Sequence, residues 1–126
     1  MEKMVKIDGK EVGFRATALT PRIYRHKIGR DMIQDLNKLQ GAYNKAMRLP
    51  EEATDEERKE AQLSALDLEI FENAAYVMAK QYDASLPNSP EEWLDGFETF
   101  SIYEILPAIL ELWQLNSATT AKPKKK

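Results

Sequence analysis

One histidine, no cysteine and a few adjacent carboxylates are all that this 126-residue chain offers for side-chain chemistry. Without cysteine, neither disulfides nor thiolate metal sites nor a cysteine nucleophile can be built. His26 falls on a basic helical segment among Arg22, Arg25, Lys27 and Arg30, where it reads as a solvent-exposed side chain. A lone histidine leaves no zinc or iron site of ordinary spacing, and the acidic run DEERKE lacks the glycine that an EF-hand loop needs at its turn. Gly9, Gly13 and Gly29 are too scattered for a phosphate loop, and no serine has a base and an orienting acid nearby. The pairs Glu51-Glu52 and Glu91-Glu92 stand at helix starts, where the helix dipole alone favours them. The expectation is a protein that is not an enzyme and holds neither metal nor cofactor.

Charge is distributed unevenly. Residues 1–48 hold 11 Lys and Arg against 5 Asp and Glu, residues 49–116 hold 3 against 16, and the last ten residues add four lysines. Such a chain either folds its basic part against its acidic part or associates head to tail with further copies. The basic first helix and the KPKKK end also suit a phosphate backbone, but the acidic remainder and a sequence pI near 5.3 argue against nucleic acid. No apolar run is long enough for a signal peptide or a membrane span, which predicts a soluble, intracellular protein.

The elements follow from local signals. Met4 to Arg15 reads as a hairpin turned at Asp8-Gly9; pairing Ile7 with Lys10 places Val5, Ile7, Val12 and Phe14 on one face. Thr20 as N-cap and Pro21 at the first helical position open a helix. Its stripe of Ile23, Tyr24, Ile28, Met32, Leu36 and Leu39 runs on to about Gly41. Gly29 either weakens that helix or splits it. The capping box Thr54 to Glu57 predicts one long helix from Asp55 to Tyr82, striped by Leu63, Leu66, Ile70, Ala74, Val77 and Met78. Ser89-Pro90-Glu91-Glu92 restarts a short helix carrying Trp93, Leu94 and Phe97. Ser101 to Glu104 opens the last one, in which Pro107 predicts a kink. The fold class is mainly α: a small N-terminal β-hairpin followed by a compact bundle of about four helices. One domain spans 1–116, and residues 117–126 form a disordered basic tail.

The last helix is the most apolar part of the chain. Ile102, Ile105, Leu106, Ile109, Leu112 and Trp113 recur at helical spacing, while Tyr103 and Leu110 widen the sector, so that more than one surface is needed to bury it. With Trp93 and Phe97, the residues Ile102, Ile105, Ile109 and Trp113 are candidates either for core or for a docking surface. Met32, Met47 and Met78 add adaptable packing.

Taken in order, the hairpin, TPRIYRHKIGRD (Thr20 to Asp31), EEWLDGFETF (Glu91 to Phe100), the terminal ELWQLN and the lysine-rich end resemble the tail assembly chaperones of long-tailed phages and prophages of Gram-positive bacteria. The resemblance covers nearly the whole chain. It implies a non-enzymatic protein of the bacterial host cytoplasm that binds the tape measure protein, keeps it soluble, helps recruit tail tube protein and is absent from the mature virion. Trp93, Phe97, Ile102, Ile105, Ile109 and Trp113 would then form the partner-binding surface. The family also implies a programmed frameshift near the gene's end, with which Lys124-Lys125-Lys126 is compatible. The alternative reading is a small nucleic-acid-binding or structural phage protein.

Overall fold

A computed structural model describes residues 1–57 and 64–120, with side chains outside 115–120. Strands β1 (Glu2–Ile7) and β2 (Lys10–Arg15) pair antiparallel across Asp8 and Gly9, both at positive φ (55° and 78°), as a two-residue hairpin turn requires. The register is the expected one: Ile7 faces Lys10, Val5 faces Val12 and Lys3 faces Phe14. Ile7 and Phe14 are buried and Val5 and Val12 pack beside them, because this face lies on the helices that follow.

Helix α1 (Thr20–Ile28) departs from the expected cap. Thr20 lies inside the helix and Leu19 occupies the cap position without a side-chain bond. The Thr20 hydroxyl instead accepts from the Thr17 N–H (2.8 Å) and donates to Gln81 Oε1 (2.7 Å), while Gln81 Nε2 donates to the Thr17 hydroxyl (2.7 Å). A helix start is thereby tied to an element more than sixty residues away. Gly29 settles the open question as a C-cap: at φ 84° it turns the chain left-handed, and its N–H donates to Arg25 O. Asp31 then caps α2 (Met32–Met47), which passes through Gly41 and ends six residues later than expected. Tyr43, packed against the core, holds that last stretch.

The single long helix does not form. The Thr54 capping box is present, with Glu57 N–H donating to Thr54 Oγ1 (3.1 Å) and Thr54 N–H to Glu57 Oε1 (3.0 Å), and residues 55–57 are helical. Residues 58–63, including Leu63 of the proposed stripe, lie outside the described residues. Ser64 is extended (ψ 168°) and caps a new helix, α3 (Ala65–Tyr82), through its own box with Asp67. A serine with an acid three residues on is the same signal as at Thr54, and here it outweighs the continuing apolar period. Two further helices follow: α4 (Pro90–Leu94), capped by Ser89, and α5 (Ile102–Thr120), which contains Pro107. Helix α5 extends four residues past the boundary placed at Asn116; residues 121–126 of the expected tail lie outside the described residues. The result is a mainly helical fold with one hairpin.

Helix α3 is the centre of the domain. It touches β2, α1, α2, α4 and α5, and Ala74 to Ala79 are all buried. Two buried carboxylates brace the helices around it. Asp35 accepts from Tyr24 Oη (2.9 Å) and, through both oxygens, from the Arg30 guanidinium (2.7 and 2.9 Å). Asp67 accepts from Lys38 Nζ (3.0 Å) and the Ser64 N–H (3.0 Å).

Burial acts against both carboxylate charges. The bonds from Arg30 and Tyr24 outweigh it at Asp35, as those from Ser64 and Lys38 do at Asp67, so both groups titrate below the ordinary carboxylate value. A pKa lowered by folding contributes stability that is complete above the unfolded value and fades as pH falls through the folded one. Urea midpoints are therefore expected to drop below about pH 4, and D35N and D67N should each flatten that acid limb.

Candidate partner-binding surfaces

The six candidate residues do not form an exposed face. Ile105 and Ile109 are 1% and 0% exposed, Trp93, Ile102 and Trp113 are buried, and Phe97 packs against the core. The wide apolar sector of α5 is consumed from several sides at once, by β1, α2 and α3. Trp93 is the hub of an aromatic cluster: its ring lies 5.3 Å from Phe97, 5.3 Å from Phe100 and 5.9 Å from Tyr76. These residues build the core of the domain and offer no common exposed face. Of the three methionines, Met32 and Met78 are core, while Met47 is exposed.

The hairpin turn is fastened to this cluster. Lys10 Nζ donates to Gly96 O (2.9 Å) and stands over the Phe97 ring, 5.4 Å from its centroid. Asp8 accepts from the Glu98 N–H (3.0 Å). The segment between α3 and α4 is held in turn by Tyr76, whose hydroxyl donates to Pro87 O (2.6 Å), and by Lys80, which donates to Ala84 O, Leu86 O and Asn88 Oδ1.

Between these two clamps lies a hollow of about 360 Å³. Its floor is the outer face of the hairpin, Met4 opposite Gly13, and its walls are Tyr82, Leu86, Pro87 and Phe97. Met4 and Tyr82 are 49% and 42% exposed. The sequence did carry a signal for this site, namely a glycine inside a strand, which marks a close approach. An added Cβ at Gly13 would stand 2.3 Å from the Tyr82 ring. We expect Gly13→Ala to push that ring aside at a cost of about 1 kcal/mol, and to cost nothing in a Tyr82→Ala background. A double-mutant cycle in urea measures the difference.

The basic segment divides in the fold. Arg30 and Lys38 are spent on Asp35 and Asp67, whereas Arg22, Arg25 and Lys27 are exposed on α1, with His26 beside them. Among the described residues these three cations enter no ion pair. No group of three or more His, Asp or Glu able to hold a metal occurs among the described residues, and no described helix is long and apolar enough to cross a membrane. No family model, curated protein or solved structure matches the chain.

Proposed function

We propose that the protein is a tail assembly chaperone of a long-tailed phage or prophage, one that binds the tape measure protein, keeps it soluble in the host cytoplasm and helps recruit tail tube protein. The observation that carries this reading is the ordered resemblance of Thr20 to Asp31, Glu91 to Phe100 and the terminal ELWQLN. In the fold these runs form α1 with its Gly29 stop, the aromatic cluster at Trp93 and the part of α5 that contains Trp113. A tape measure protein is largely helical with long apolar stripes, and a chaperone for it needs an apolar surface that can be left again.

The hollow at Met4 and Tyr82 is the surface assigned to that task. It is half-exposed and flanked by a methionine that can adapt to varied side chains. Co-expression with the adjacent tape measure gene is expected to move that protein from the pellet to the soluble fraction. Met4→Asp with Tyr82→Asp should abolish the effect while circular dichroism stays unchanged. Solubilisation by the folded variant would reject the hollow; none by the wild type would reject the chaperone reading. A second reading, phosphate-backbone binding, rests on the exposed Arg22, Arg25 and Lys27; retention that grows with DNA length at low salt would favour it.

A further inference from the structure

The two-stranded hairpin has an outer backbone row on β1 that the helices leave without a partner. Met1 and Ala16 exchange two backbone bonds (2.9 and 3.1 Å). Bonded and unbonded pairs alternate along an antiparallel ladder, so in the observed register Lys3, Val5 and Ile7 are the residues of β1 that bond to β2. Glu2, Met4 and Lys6 therefore turn their N–H and C=O groups outward, and none of these groups finds a further backbone partner among the described residues. All three residues are exposed, whereas Gly13, an outward-turned counterpart on β2, is buried beside Tyr82. Helix α5 meets β1 from the inner face, where Glu111 pairs with Lys3, which shares that face with Val5 and Ile7.

We propose that this edge pairs with the same edge of a second copy, β1 antiparallel to β1, to give a twofold homodimer with a continuous four-stranded sheet. The strand is complementary to itself. With the twofold axis at Met4, each Met4 faces the other and Glu2 faces Lys6 at both ends, so opposite charges flank an apolar centre on the outer face. This register uses all three outward-turned residues of each copy. Sliding one strand by two residues forfeits a bonded pair and both charge matches, and sliding by one sets the outer face against the inner. Charges on an edge strand ordinarily repel a second strand; here each meets its opposite. Lys6 enters no ion pair among the described residues, and Glu2 has only a long contact of 3.9 Å to Arg15. A foreign extended segment would satisfy the backbone equally, but the symmetric placing of Glu2 and Lys6 about Met4 selects a copy of β1 itself. The axis stands perpendicular to the sheet, so the two outer faces point the same way and the two hollows, each lined by Met4, open side by side.

Sedimentation velocity over a concentration series at low salt tests this. The wild type, 14.5 kDa as a monomer, is expected to double its mass and stop there. Glu2→Lys sets a lysine against Lys6, and Lys6→Glu sets a glutamate against Glu2, so each alone should weaken dimerisation about tenfold. Mixing the two variants in equal amounts should restore association, and so should both changes in one chain. Met4→Pro removes the N–H at the axis, which the hairpin itself does not use, and should abolish the dimer while circular dichroism stays unchanged. A wild type that is monomeric throughout the series overturns the proposal, as does growth beyond two copies into a head-to-tail array. A dimer that survives in folded Met4→Pro, or charge variants that do not rescue one another, overturns it too. If Met4→Pro does not fold, the charge exchange decides alone. A monomeric wild type that binds an extended peptide, with the loss of binding in Met4→Pro, would assign the edge to a foreign strand instead.

Discussion

Replacing Ile105 and Ile109 together by aspartate is expected to unfold the protein. Both side chains are essentially inaccessible to solvent and lie in a region of α5 enclosed by the hairpin and other helices. A carboxylate buried there without a partner costs about 3 kcal/mol or more. Two of them approach or exceed the roughly 5–15 kcal/mol that holds a domain of this size. Far-ultraviolet circular dichroism should show the helical signal collapse at neutral pH and return in part in acid, where the new carboxylates are neutral. Tyr103 supplies the control. It stands on the same helix but is 56% exposed, so Tyr103→Asp should change the unfolding free energy by no more than about 0.5 kcal/mol. A double variant that stays folded would mean that α5 is not packed as described.

Trp93→Ala is expected to be the costliest single truncation, at about 3–5 kcal/mol. The indole is 5% exposed and meets Tyr76, Phe97 and Phe100 within ring-contact distance. Alanine would leave a void that the cluster cannot close, because Phe97 is held beneath Lys10 and Tyr76 is hydrogen-bonded to Pro87. Trp93→Phe keeps much of the ring volume and should cost about half as much. Urea denaturation gives the stability, and the near-ultraviolet circular dichroism of the aromatic cluster should weaken in both variants, more in alanine. A loss for Trp93→Ala under about 1 kcal/mol would contradict a packed cluster.

Local chemistry proved readable wherever it was short in range. Asp8-Gly9 fixed the turn and hence the register, and the Thr54 and Ser89 caps stand where side-chain spacing put them. Reading failed where two local signals competed. The apolar period running from Leu63 to Leu66 and Ile70 argued for continuity across Ser64, and the cap formed with Asp67 prevailed. Thr20 had every local qualification for an N-cap, but Gln81 claimed its hydroxyl from far along the chain. The binding surface was harder still. Apolar spacing on α5 says that the helix is wide and greasy but not how many neighbours share it. Only the assembled fold shows that β1, α2 and α3 consume it and leave Met4 and Tyr82 outside.

The bonds that fasten the hairpin and the start of α1 have a consequence for the order of manufacture. Thr17 with Gln81, Lys10 with Gly96 and Asp8 with Glu98 bridge 64, 86 and 90 positions, and Lys3 pairs with Glu111 (3.1 Å) on the last helix. A ribosome delivers residues at about 5–20 per second, so the hairpin waits several seconds, first for α3 to reach β2 and then for α5 to close on β1. A two-stranded ribbon alone is marginal in water. During that interval the nascent chain itself needs shelter, and a transcript cut short before Ile102 would leave it permanently unfinished and prone to clump.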